Sequence, residues 1–368
     1  MALFSNNPFI QTAIVVAVLL VAAVASMRVR REGKLFPPSV TVELKGLAIL
    51  MVIFGHIGYF LVSDNRFLVP LSNYSGVGVD LFLVLSGYGL VASALKKPLT
   101  RWQFYRKRFF KVFIPVAVTI LLLLLTDYFF VHRSFPLILN IKNLLGFFPT
   151  ADLYKDIDSP LWFITPLLAY YIIFPLIFSR RFPFLSALVL LVLARWFALQ
   201  DISGLLSATP GVANLYQLHL LSFPVGMAVA ALANKPPWLI QQIGKLRQFL
   251  DSRVWRWFFG ILALLILTYT LQYTAVGQGW VKEWSVSICS SLALVLLFVA
   301  KKIEFKFFSF IGAISFELYM IHWPLLYQYD PLYKLWPVGF ATALSLGILI
   351  GLSWLYQRFL HIITKPLS

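Results

Sequence analysis

The chain is 368 residues long, 60% hydrophobic and only 12% charged, with a mean hydropathy of +0.83. An ordinary soluble domain is about half apolar and about a quarter charged, so this much apolar surface excludes a water-facing globule and calls for a bilayer. The net charge of +17, from 31 Lys and Arg against 14 Asp and Glu, then reports the orientation of loops and implies no nucleic-acid partner. The lone Cys289 excludes an intrachain disulfide framework and every multi-cysteine metal site.

Crossing about 30 Å of hydrocarbon takes roughly 20 helical residues at 1.5 Å each. On that measure eleven spans are predicted: 9–27, 47–63, 77–95, 112–131, 161–178, 183–199, 214–233, 257–274, 284–300, 308–329 and 336–357. The first lacks the basic leader of a cleavable signal and is trailed by Arg28, Arg30, Arg31 and Lys34, so it reads as a retained helix with its N-terminus outside. Alternation from there puts 24 of the 31 basic residues in the cytoplasm and six outside (Arg66, Arg133, Lys142, Lys155, Lys282 and Lys334), with Arg195 inside a span. The expected fold is an all-α polytopic transmembrane bundle of about eleven helices, one domain over 1–368, with a cytoplasmic C-terminus. In the outer segment 132–159, the apolar stretch from Phe135 suggests a short interfacial helix. The basic, aromatic segment 234–256 is expected to hug the cytoplasmic headgroups.

Ionisable groups inside a span cost a few kcal/mol on insertion scales, so each asks for a function and a partner. Those singled out are His56, Asp80, Asp127, Arg195, Glu317 and His322, with Glu43 and Lys45 at a cytoplasmic edge. Lys45 and His56 stand eleven residues apart, which returns them to nearly one helix face about 16 Å apart. Either an anionic ligand is held at Lys45 while His56 meets its reactive end, or Lys45 snorkels and His56 bonds a neighbouring helix. Small residues at Gly76, Gly78, Ser86 and Gly87 permit close helix packing, while Asp80 is expected near the outer end, facing a wet cavity. Seven cations fall in the sixteen residues 96–111, interleaved with aromatics. They suit either the phosphates of a nucleotide-bearing ligand or anionic headgroups. Near the C-terminus Ser315 and His322 share a face, and Glu317 is expected to pair with Arg195.

In order, Lys45-Gly46 through His56, Gly78-Val-Asp80-Leu-Phe82 through Ser86-Gly87-Tyr88, Phe104-Tyr-Arg106-Lys-Arg108 through Pro115, Leu161-Trp162-Phe163-Ile164, and Ser315 through Pro324 resemble the integral-membrane acyltransferase family 3. The likeness runs over 40–363. It implies a membrane O-acyltransferase of a prokaryotic plasma membrane that moves an acyl group, acetyl above all, from acyl-CoA to a hydroxyl of a saccharide or glycolipid acceptor. It implies His56 as the essential histidine and general base, and Lys45 in the place of the family's arginine. His322 and Glu317 fall in the late-helix motif. Arg106, Arg108 and Lys111 are implied to hold acyl-CoA, and Asp80, Ser86, Tyr88 and Trp162 to meet substrate; no metal is required. Two features depart from the family: the helix 9–27 precedes the signature helix, and lysine at 45 lacks the bidentate fork of arginine. The competing reading of buried His, Asp, Glu and Arg in a many-span protein is a proton-coupled transporter or a lipid-linked-sugar flippase. A catalytically silent scaffold is a third.

Overall fold

The structure, a computed structural model, describes residues 7–30, 36–62, 64, 66–98, 100–153, 155–233, 253–271, 273, 280–330 and 332–364. The predicted cytoplasmic segment 234–256 lies, up to residue 252, outside these, as do Arg31 and Lys34. Helix dominates. Among the described residues eight helices are long and apolar enough to cross a membrane, and a bent pair, Lys306–Ala313 with Ser315–Leu335, makes a ninth. Pro183–Ala198 and Trp284–Ala300 are shorter apolar helices. Each of the eleven predicted spans falls on one of these segments, so the chain is a polytopic helical bundle.

The elements follow in order. Helix α1 (Pro8–Ala25) leads into a three-residue strand β1 (Met27–Val29). Helix α2 is Pro38–His56, α3 Ser75–Lys96, α4 Arg101–Arg108 and α5 Ile114–Thr126. The outer segment carries α6 (Leu137–Leu144), with Leu137, Ile138, Ile141 and Leu145 exposed along one side, as an interfacial helix requires. Next come α7 (Ile164–Ile177), α8 (Pro183–Ala198), α9 (Ile202–Leu206), α10 (Pro210–His219) and α11 (Ser222–Ala233). The chain ends with α12 (Arg253–Leu271), α13 (Trp280–Ala300), β2 (Ile303–Phe305), α14 (Lys306–Ala313), α15 (Ser315–Trp323), α16 (Leu332–Leu335) and α17 (Val338–Thr364). β1 and β2 pair antiparallel, Arg28 opposite Glu304.

Proline opens α1, α2, α8 and α10, where its missing N–H costs nothing and its fixed φ suits the first turn. Helix α4 starts on a capping box, Thr100 and Gln103 exchanging hydrogen bonds. Helix α2 begins nine residues before its predicted span, because Glu43 does not have to stay in water. It is fully buried, accepts from Arg30 Nη2 at 3.3 Å and from the Phe305 amide at 2.9 Å, and pairs with Lys301. One carboxylate thus clamps the end of α2 to the strand ribbon.

Helices α2 and α3 lie at the centre, packed on each other and on α14 and α11. Glycine makes both outer crossings possible. A Cβ on Gly46 would stand 2.0 Å from the Phe308 carbonyl oxygen and one on Gly312 1.8 Å from that of Val42, so α2 and α14 touch backbone to backbone. Gly87 and Gly226 do the same for α3 and α11, at 2.1 Å from the Phe223 oxygen and 2.0 Å from the Val84 oxygen. The extra helix α1 packs on α17 and α14. It is keyed in by polar contacts: Thr12 accepts from the Leu68 amide at 2.8 Å, and Gln11 from the Gly339 amide at 2.9 Å.

Four helices widen into single π-helical turns: Ile57–Leu61 after α2, Phe109–Phe113 after α4, Asp127–Val131 after α5 and Pro324–Gln328 after α15. Such turns hold an extra residue and recur at functional sites. Here His56, Arg108 and the His322-Trp323 pair stand immediately before three of them.

Candidate active site

Helices α2 and α15 bring His56 and His322 together. His56 Nδ1 lies 2.8 Å from His322 Nε2, the rings stacked with centroids 5.0 Å apart and planes 12° apart. His322 is fully buried and its Nδ1 lies 2.7 Å from the Tyr319 carbonyl oxygen. That oxygen can only accept, so His322 Nδ1 carries the hydrogen. In the neutral ring its Nε2 is then an acceptor, and His56 Nδ1 must donate to it. The tautomers follow from this chain of contacts, and they leave the lone pair of His56 on Nε2.

His56 lines a cavity of about 710 Å³ at the end of the bundle where α2 finishes and α3, α7 and α10 begin. Tyr59, Gly76, Trp162, Asn214 and His219 share its wall. A 3₁₀ turn, Ser159–Phe163, sets Trp162 there, and Tyr319 donates to the Pro160 carbonyl to tie that turn to α15. The turn follows Asp158, which is buried and whose carboxylate oxygens have no hydrogen-bond partner among the described residues. Burial first, then the charge of Asp156, raises the Asp158 carboxyl well above the usual carboxylate range.

Also lining the cavity, His219 has its Nδ1 2.9 Å from Asp80 Oδ1, which also accepts from Ser222 Oγ at 2.5 Å. Trp162 stacks on the His219 ring at 5.5 Å and 24°. This corrects the expectation for Asp80: it faces no wet cavity but is fully buried behind His219. The sequence reading passed over His219, although a histidine within the span 214–233 is the same signal that singled out His56 and His322.

Three other expected site residues stand away from this cavity, whose wall contains none of them. Ser86 and Tyr88 lie seven and nine residues beyond Val79, the last α3 residue on that wall, and Tyr88 packs edge-on against Phe36 at 4.5 Å. Glu317 accepts from Gln357 of α17 at 3.2 Å. The predicted Arg195 partnership fails because α8 packs on α11, α10 and α7, whereas Glu317 rides on α15 against α17.

The expected basic site is rearranged. At the bundle's other end a recess of about 200 Å³ is lined by Arg101, Lys107, Arg108 and Arg180, with Phe104 and Phe174 in its wall. Arg108 rests over the rings of Phe104 and Tyr171, 5.5 and 5.0 Å from their centroids, and its buried Nε has no hydrogen-bond partner among the described residues. Lys45 stands half-buried within electrostatic reach of Arg108. Arg106 instead lines a separate apolar groove of about 760 Å³ beside α7, and Lys111 is exposed and lines neither. Arg180, far off in sequence, is added by the fold, its Nη2 fixed 2.9 Å from the Leu95 carbonyl. Among the described residues no three His, Cys, Asp or Glu side chains form a metal-holding group.

The chain is thus an apolar bundle with His56, backed by His322, on a cavity at one end and a cationic recess at the other. The family model described as an acyltransferase domain matches residues 44–357. The chain belongs to that family, acyltransferase family 3, and is a membrane acyltransferase. No curated protein and no solved structure matches it.

Proposed function

We propose that the protein transfers an acyl group, acetyl in the simplest case, from acyl-CoA to a hydroxyl of a saccharide or glycolipid, with His56 as general base, in a prokaryotic plasma membrane. The observation that carries this is the His56–His322 contact, which frees Nε2 of His56 toward the cavity. The acceptor oxygen attacks the thioester carbonyl carbon as its proton passes to that nitrogen; the C–S bond breaks and the proton goes on to the CoA sulfur. A neutral imidazole with one bare nitrogen can take the hydroxyl proton and hand it on to the departing sulfur. His322 holds the tautomer, as the carboxylate does in a Ser-His-Asp triad.

The recess fits the donor's phosphates in charge, and the orphaned Nε of Arg108 offers a donor to one of them. Lys45 and His56 are about 16 Å apart along α2, so a bound donor would run along that helix from one end of the bundle toward the other. The acceptor would enter the cavity at the far end, against Trp162.

The test is transfer of label from radiolabelled acetyl-CoA into a crude glycan and glycolipid extract by the purified protein. Wild type should label a saccharide and His56→Ala should not. His322→Phe should lower kcat by about 10²-fold with little change in KM, since only the orientation and tautomer of the base are lost. Equal labelling by wild type and His56→Ala would remove His56 from the chemistry. Failure of the wild type even to bind CoA would reject the donor.

A further inference from the structure

We infer that the groove between α12 and α13, at the end of the bundle where α2 begins, binds an anionic phospholipid, with the phosphate on Arg256 and Lys302 and a hydrocarbon chain laid along Gly260. The groove shares no wall with the His56 cavity or the basic recess, and the inference does not depend on the acyl-transfer reading.

The groove holds about 690 Å³. On α12 its wall is Trp257, Gly260, Ile261 and Leu264, an i, i+3, i+4, i+7 spacing that sets all four on one helix face. Leu297 and Ala300 of α13, three residues apart, form the facing wall. Gly260 keeps the space open. A Cβ built there would meet nothing within 4 Å among the described residues, so this glycine serves no helix crossing of the kind made at Gly46, Gly87, Gly226 and Gly312. A mid-helix glycine is unfavourable relative to alanine, and here packing within the chain gives nothing back. Ile261 and Leu264 stay exposed beside it, so the groove opens toward the surrounding lipid.

The apolar walls lead to cations. Arg256 lies eight residues from Leu264, roughly 12 Å along the helix axis, and Lys301 and Lys302 close the same end from the α13 side. Lys301 is taken up by Glu43 and lies over the rings of Phe298 and Phe305. The other two carry the charge that a headgroup meets: Arg256 is half-buried, Lys302 is exposed, and neither has a carboxylate partner among the described residues. Trp257, exposed beside Arg256, is the kind of aromatic that membrane proteins set at headgroup depth. A phospholipid matches this arrangement in shape and in sign, since a basic pocket between two spans takes an anionic headgroup at its rim and a chain along its walls. A neutral headgroup would leave the two cations unanswered, and a nucleotide would leave the apolar length of the groove unfilled.

The test uses the full-length protein purified in detergent, with dioleoyl phosphatidylglycerol or dioleoyl phosphatidylcholine added at equal concentration and bound lipid read by native mass spectrometry. Wild type should bind its first phosphatidylglycerol about tenfold more tightly than its first phosphatidylcholine. Arg256→Gln combined with Lys302→Gln should bring the two lipids within about twofold of each other. Gly260→Leu should weaken both by roughly tenfold, because its side chain fills the groove. Each variant should keep a thermal midpoint within about 3 °C of wild type, which separates lost binding from lost folding; if Gly260→Leu shifts further, the charge variant alone decides. The site is overturned by an absent headgroup preference in wild type, by a preference that survives the loss of both cations, or by unchanged lipid affinity in a well-folded Gly260→Leu. Displacement of phosphatidylglycerol by CoA would overturn it in favour of a nucleotide site. A dimer broken by Gly260→Leu with lipid binding unchanged would overturn it in favour of an interface between two copies of the chain.

Discussion

Burying a carboxylic acid has opposite consequences at Asp158 and Glu43. Glu43 meets Arg30 and Lys301, whereas Asp158 has its oxygens unmet and Asp156 nearby. The raised Asp158 carboxyl means that the folded chain holds a proton the unfolded chain releases near pH 3.9. Stability therefore falls as pH climbs from about 4 through the folded carboxyl's higher value, and the loss persists above it. Asp158→Asn should lift that penalty, raising the thermal midpoint at pH 7.5 by on the order of 3 °C and changing it little at pH 4.5. Scanning fluorimetry at the two pH values checks this; an equal drop at both would show that the side chain is needed for its shape and not opposed for its charge. At this scale the sequence was partly legible. His56, His322 and Trp162, which stand out in the sequence as polar or aromatic groups in apolar spans, lie on or directly behind the cavity wall. Ser86, Tyr88 and Glu317 stand off that wall, because proximity in a motif does not tell which side of a helix faces a cavity.

Spans are the most legible elements, since twenty apolar residues leave the chain little choice. Their ends are less so: Glu43 and Lys45 looked like residues at the water's edge, yet long-range partners on β2 and beside α13 let α2 start at Pro38. The basic recess shows the same limit, because α4 supplies Arg101, Lys107 and Arg108 while Arg180 arrives from the turn between α7 and α8. That assembly makes a prediction at the level of elements. Arg101→Ala, Lys107→Ala and Arg180→Ala should each raise KM for acetyl-CoA by roughly three- to tenfold with kcat within about twofold of wild type, and the effects should shrink as salt is raised. Steady-state kinetics at two ionic strengths measure both; a kcat loss without a KM change would detach the recess from donor binding.

For the whole molecule the question is orientation. The distribution of Lys and Arg over the loops predicts that α4 and the recess face the cytoplasm and that α9 faces outward. In a Cys289→Ser background, a cysteine placed at Ser203 of α9 should react with a membrane-impermeant maleimide in intact cells. One placed at Gln103 of α4 should react only after permeabilisation. The reverse pattern would invert the bundle, and with it the sides from which the two substrates are offered. The cavity and the recess occupy opposite ends of the same helices, so their separation is built into the length of α2 and α3.

The π-helical turns bear on how such chains are compared by residue count. Helical phase advances by about 100° per residue along an α-helix, and a wide turn admits one residue without lengthening the axis to match. The interval from Lys45 to His56 is counted along unbroken α2 and keeps its meaning. The interval from Arg108 to Pro115 crosses the turn Phe109–Phe113, and a face inferred from it by α-helical arithmetic is rotated by about a residue. A one-residue gap at such a turn can therefore mark the loss of a wide turn with every catalytic group kept, while a gap of the same size within α2 would swing His56 away from His322.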